Sequence, residues 1–160
     1  MITSQELISL LVARVGHALA SDLVCECVDL GMRPVPYQDV GGSSDLPPFE
    51  AGHQFRFNPD GNEEAMFEIL EKDSRVLQAG YQLTFPISVL FAKARKRYNQ
   101  LKEILEGHYA VGQPFHVIGC ALINYGNDAT IAYLSRYKAF GRDAVTVRVG
   151  NRRFWDGIRS

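Results

Sequence analysis

Apolar positions recur along this chain with two periods, and the periods divide it into expected helices and strands. The longest periodic stretch runs from Thr84 to Gly107. Ile87, Leu90, Phe91, Ala94, Tyr98, Leu101, Ile104 and Leu105 fall on one helical face. Thr84 stands as an N-cap, Pro86 suits the first turn, and Gly107 sits where a helix usually stops. The other face carries Lys93, Arg95, Lys96, Arg97 and Lys102. A helix is also predicted from about Ser4 to Ala20. There Thr3 and Glu6 form a capping box, and Leu7, Ile8, Leu11, Val12, Val15 and Leu19 keep helical spacing. Another follows the turn Pro59-Asp60-Gly61, with Asn62 as cap, Glu63 and Glu64 in its first turn, and Met66, Phe67 and Leu70 facing inward to Val76 or Leu77. A fourth follows Gly126-Asn127-Asp128, with Ile131, Leu134, Ala139 and Phe140 on one face and Gly141 as its stop.

Strand patterns lie between these helices. His53 to Asn58 alternates, with Phe55 and Phe57 on one side. Tyr81, Leu83 and Phe85 make a short strand. Phe115 to Tyr125 is apolar on both sides, which places it in the middle of a sheet. Ala144 to Val149 alternates Val145, Val147 and Val149 against Thr146 and Arg148, and Gly150-Asn151 reads as a hairpin turn into Arg152 to Trp155. Leu23 to Leu30 fits either a strand or a helix ending at Gly31, and the alternation of Val24 and Val28 around Glu26 favours the strand. Residues 31–52 are rich in Pro, Gly and Ser and read as one long loop pinned by Tyr37, Leu46 and Phe49. The expectation is a single α+β domain over residues 1–160. Three or four helices pack on one mixed sheet of four to six strands, with a C-terminal β-hairpin and no internal repeat.

Composition adds little until charge is divided along the chain. A hydrophobic content of 46% and a charged content of 22% are ordinary for a globular protein of this length. The net charge of −1 hides a split: residues 1–80 hold five Lys or Arg against thirteen Asp or Glu, and residues 81–160 hold twelve against five. That pattern implies an acidic protein partner, self-association through opposite halves, nucleic acid, or neutralisation within one fold. No apolar run is long enough to span a bilayer, and the polar N-terminus does not resemble a leader, so a cytoplasmic protein with no membrane contact is expected.

Candidate chemistry is sparse. Cys25, Cys27 and Cys120 are too few and too irregular for a disulfide framework. A nucleophilic thiol needs a histidine base, and Cys25 with His108 or His116, oriented by Asn124 or Asp128, can be written down. Set against it, no cysteine lies in a nucleophile motif, and Cys120 falls in an apolar strand where a small buried thiol is ordinary. Cysteine and histidine spacings do not form a zinc pattern, Gly41-Gly42 lacks the lysine and helix of a phosphate loop, and no Gly-x-Ser-x-Gly elbow occurs. No metal or cofactor is expected.

The basic residues are the stronger signal. Lys93, Arg95, Lys96, Arg97, Arg136, Lys138, Arg142, Arg148, Arg152 and Arg153 are interleaved with Tyr98, Tyr133, Tyr137, Phe154 and Trp155. Arginine with exposed aromatics suits a protein interface or phosphate and base contacts, and the chain lacks the net positive charge usual for nucleic-acid binders. The expected partner-binding residues are Lys93, Arg95, Lys96, Arg97, Arg136, Lys138, Arg152, Arg153 and Trp155. The expected function is a non-catalytic binding or assembly protein: an inhibitor, an immunity-type factor or a subunit of a larger complex. Its partner would be an acidic protein or its own acidic half. A small cysteine- or histidine-dependent hydrolase or transferase is the alternative, and a nucleic-acid-binding protein the second alternative.

Overall fold

Eight antiparallel strands form one open sheet in the order β1-β2-β3-β4-β8-β7-β6-β5. The computed structural model describes residues 1–38, 48–61, 63–86, 91–117, 120–139 and 141–159. Two helices come first, α1 (Ser4–Arg14) and α2 (Ala20–Asp29). They lead into β1 (Arg33–Val35), β2 (Ala51–Phe57), β3 (Ala65–Lys72) and β4 (Arg75–Pro86). Helix α3 (Phe91–His108) then opens a second set: β5 (Gln113–Val117), β6 (Cys120–Gly126), β7 (Thr130–Ala139) and β8 (Arg142–Asn151). Helix α4 (Arg152–Arg159) follows. A helical segment and a four-stranded meander thus occur twice, and the last strands of the two meanders, β4 and β8, pair in the centre.

The capping box forms as the sequence implies: Thr3 Oγ1 accepts from Glu6 N at 3.1 Å, and Glu6 Oε2 accepts from Thr3 N at 2.8 Å. The helix stops earlier than its apolar spacing predicts, at Arg14, because Leu19 turns extended and bridges Arg75. Residues 23–29 are helix and not strand, with Leu30 as the cap. Leu23 and Cys27 on its inner face are fully buried, and Gly31 ends the run at φ 87°, a conformation open to glycine. The expected 31–52 loop contains β1 and the start of β2; its middle lies outside the described residues.

Two expected helices give way to strands. Residues 63–77 form β3 and the start of β4, joined by Asp73 and Ser74 at φ 52° and 62°. Both φ values are positive, as a two-residue type I′ hairpin requires. The spacing of Met66, Phe67 and Leu70 fits a helix face, but Ala65, Phe67 and Ile69 also alternate, and burial of that alternate set decides the outcome. Asn62, expected to cap that helix, lies outside the described residues. Residues 131–139 form β7: Asn127 Oδ1 accepts from Ala129 N at 2.9 Å and Thr130 N at 2.8 Å, so the side chain expected to cap a helix holds a hairpin turn. Thr84, expected as the cap of the long helix, lies within β4, and residues 87–90 lie outside the described residues.

Near the C-terminus the error runs the other way. Gly150-Asn151 ends β8, and Asn151 Oδ1 accepts from Arg153 N at 3.2 Å as the cap of α4, so no second hairpin strand forms. The expected central strand over 115–125 is two strands instead: residues 115–117 belong to β5, the edge strand, and 120–125 to β6, its antiparallel neighbour, while 118 and 119 lie outside the described residues. The sheet has eight strands rather than four to six, and it is antiparallel throughout rather than mixed.

Helices α1, α2 and α3 cover one face only. Across it runs a register row of Phe55, Phe67, Tyr81, Val147, Leu134 and Ile123, all buried. Leu7, Ile8 and Leu11 of α1, Leu23 of α2, and Ala94, Leu101 and Leu105 of α3 close over this face. Among the described residues no helix is long and apolar enough to cross a membrane.

One charged pair lies in this apolar layer. Asp143 is 1% exposed. Its carboxylate accepts from Arg136 Nη2 at 2.7 Å and from Arg136 Nε at 3.1 and 3.2 Å. Replacing Asp143 with Ala removes the carboxylate that holds this guanidinium and is expected to lower the unfolding free energy by about 3–5 kcal/mol, measured by urea denaturation. A loss below about 1 kcal/mol would contradict this account of the pair.

Candidate functional site

Among the described residues no helix lies over the centre of the second face of the sheet, and its polar side chains line up by register. One row crosses every strand: Val35, Gln54, Glu68, Gly80, Arg148, Tyr133, Asn124 and Gln113. The next row holds Arg56, Met66, Gln82, Thr146, Ser135, Leu122 and Phe115. These are the positions between the core residues of each strand, so the pleat that buries Phe67 and Val147 presents Glu68 and Arg148 to the open side.

Two recesses indent this face. One, of about 900 Å³, is lined by Arg148, Arg152, Trp155, Tyr133, Asn124 and Phe115, among others. The other, of about 250 Å³, is lined by Arg148, Gln54, Met66, Glu68, Gly80 and Gln82, among others. Arg148 lines both. A Cβ at residue 80 would collide with the Val147 carbonyl and the Arg148 stem, so glycine there is what lets the arginine lie against the sheet.

Side chains from outside the sheet wall the trough on one side. In the row Gly52, Leu70, Gln78, Gly150, Ile131 and Gly126, each glycine receives a covering group: the Tyr37 ring, the Trp155 indole and the Arg152 guanidinium respectively. Trp155 also meets Tyr133 edge to face, with centroids 6.4 Å apart. Arg152 Nε donates to the Asn127 carbonyl at 2.6 Å, which ties α4 to the β6–β7 turn.

Electrostatics single out Arg148. Burial opposes its charge, but Tyr133, hydrogen-bonded to it, together with the Glu68 and Tyr137 side chains, outweighs that cost and raises its pKa above the usual arginine value. The Tyr133 hydroxyl in turn donates to Gln78 Oε1 at 3.0 Å. Glu68 is engaged by Gln54, whose Nε2 donates to its carboxylate at 3.1 Å. No carboxylate of a described residue lies within ion-pairing distance of the Arg148 guanidinium. A half-buried guanidinium that carries no ion pair with a described residue is suited to receive an oxyanion.

The residues proposed from sequence do not share one surface. Arg152 and Trp155 line the trough, and Arg153 is exposed on the same helix beside the Phe154 ring. Lys93, Arg95 and Lys96 are exposed on α3, on the opposite side of the sheet. Arg97 Nε donates to Glu63 at 3.2 Å, and Arg136 is bound to Asp143. Lys138 is exposed near the end of β7, away from α4. Arg148 belonged to the basic set as one of ten. The residues around it, Gln54 on β2, Glu68 on β3, and Gln78 and Gln82 on β4, come from three separate strands and form no local motif that spacing could reveal.

Among the described residues no hydrogen bond joins Cys25 to a histidine. Cys25 is exposed on α2, His116 lies on β5 at the opposite half of the sheet, and His108 Nε2 meets Ser9 Oγ at 3.1 Å on α1. Cys27 is buried, which pushes its thiol from 9.0 to about 12, with Glu26 adding to the rise. The unfolded thiol ionises first, so the folded state binds more protons between these values and stability falls as pH rises from about 9 toward 12. Cys27→Ala is expected to flatten that part of the stability profile, followed by denaturation at several pH values. Ellman's reagent should label Cys25 in the native protein and Cys27 only after unfolding; native labelling of Cys27 would contradict its burial.

Comparison of the chain with protein-family models, with curated proteins and with solved structures finds no match in any of the three.

Proposed function

We propose that this protein is a non-catalytic binding or assembly protein, of the inhibitor, immunity-factor or complex-subunit kind, that receives an acidic protein partner on the open face of its sheet. The observation that carries the reading is Arg148: a half-buried guanidinium, without a carboxylate partner among the described residues, that lines both recesses. Arg152, Trp155 and Tyr133 beside it supply the side-chain types that dominate protein interfaces. The exposed lysines and arginine of α3 lie elsewhere and act in this reading as a solvated face.

A second copy of the chain is the other occupant with a specific observation behind it. The first meander is acidic and the second basic, and among ion pairs between described residues all but Arg97–Glu63 stay within one half. Much of the split therefore remains at the surface for an external partner. Self-association predicts a mass above 17.9 kDa by light scattering at low salt that returns to the monomer value as salt rises. A salt-independent monomer removes this occupant and leaves the acidic partner.

Trp155 is the only tryptophan, so its emission reports on the trough directly. A random glutamate–tyrosine copolymer is expected to change that emission saturably and to bind less well as salt approaches about 1 M. A lysine–tyrosine copolymer should leave it unchanged. Replacing Arg148 and Arg152 together with Met should weaken the glutamate copolymer by at least about tenfold, the equivalent of 1.4 kcal/mol. No response to the acidic copolymer, or an equal response to the basic one, would refute the reading.

A further inference from the structure

The two recesses that share Arg148 make up a trough that follows one register row across the strands rather than along them. Its register row extends from Gln54 on β2 to Gln113 on β5, through seven neighbouring strands. At about 4.8 Å between strands this is roughly 29 Å, the length of an extended peptide of about nine residues. The dimensions are those of a single chain segment, and the larger recess alone has the volume of a side-chain cluster rather than of a folded domain.

Its chemistry changes along that length in an ordered way. At the β2–β3 end stands Glu68, already engaged by Gln54. In the middle Arg148 lies over Gly80. Beyond it the floor turns apolar and aromatic, with Ile131, Leu122 and Phe115 beside Trp155. Phe115 is 46% exposed and leaves part of its ring open to a ligand. Asn124 and Gln113 line the same stretch and make no side-chain hydrogen bond to a described residue. Each primary amide offers a donor and an acceptor together, the pair that a peptide bond needs.

We propose that the partner enters as an extended peptide segment laid across the strands, placing an acidic side chain on Arg148 and a neighbouring aromatic or aliphatic side chain between Trp155, Leu122 and Phe115. The carboxylate takes two parallel hydrogen bonds from the guanidinium, which is fixed from the other side by Tyr133. The Asn124 and Gln113 amides hold the segment's backbone. Glu68 and the acidic first meander set its direction, with any basic residue of the segment toward β2 and β3. This inference rests on the reading of the open face as an acidic-partner site and adds the form of the ligand to it.

A library of random nine-residue peptides displayed on phage, selected against the immobilised full chain, tests it. The enriched peptides are expected to share one Asp or Glu within a few positions of a Phe, Tyr, Trp or Leu. A selected peptide made synthetically should quench or shift Trp155 emission. It should lose at least about tenfold in affinity when its acidic residue becomes the amide, and Arg148→Met should cause the same loss. The two changes made together should cost no more than either alone, because both remove one contact. If Arg148→Met fails to fold, the acid-to-amide change in the peptide tests the same contact on the unmodified protein. Enriched peptides without an acidic residue, peptides that bind Arg148→Met equally well, or competition by decanoate with no peptide enriched would each overturn the proposal. Binding of the glutamate–tyrosine copolymer with no such peptide enriched would sink the extended-segment mode alone, whereas loss of copolymer binding would sink the acidic-partner reading beneath it.

Discussion

The antiparallel pairing of β4 with β8 is the interaction on which the rest of this protein depends. It joins two meanders into one sheet and sets the register of both faces at once. On the covered side it puts Tyr81 against Val147 beneath α3; on the open side it puts Gly80 against Arg148. A slip by one residue would exchange those sets, carrying the guanidinium into the core and the valines into solvent. Stability and the candidate site are therefore specified by the same ladder, and neither can drift without the other.

Division of labour between the faces follows from what covers them. The helical layer excludes water from a continuous apolar surface, and the Arg136–Asp143 pair is tolerated there because its hydrogen bonds are doubled. The open face keeps polar side chains in partly hydrated rows, braced by one another through Gln54, Glu68, Gln78 and Tyr133. Over glycine the sheet admits side groups from outside it, so the rim at Tyr37, Trp155 and Arg152 is built on the absence of side chains beneath it.

Much of the N-terminal helix, the long helix and the strands at His53 and Val145 was legible in the sequence, because each has either a cap or an unbroken period that local structure obeys. The strands β3 and β7 were not. Their residues satisfy both a helical and an alternating pattern over the few positions available, and only the demand of a neighbouring strand for partners decides between them. Asn127 and Asn151 show the same ambiguity from the side of capping: one carboxamide holds a turn, the other starts a helix, and nothing local separates the two roles. For the site, Arg152 and Trp155 were among the residues singled out, whereas the row that gives Arg148 its setting draws one residue from each of seven strands and leaves no spacing to read.

The central pairing also shapes how the chain comes to be folded. Residues Gln78 to Pro86 meet Arg142 to Gly150, so the seam closes a loop of more than fifty residues at its shortest. Until β8 has been made, the first meander presents β4 as a bare edge, twelve residues long and apolar on one side, which is the kind of strand that recruits others of its kind. Contacts of this range slow folding and lengthen that exposure. The acidic charge concentrated in the first eighty residues lies on the part of the molecule that must wait, and like charge on waiting copies keeps them apart until the basic half arrives to complete the sheet.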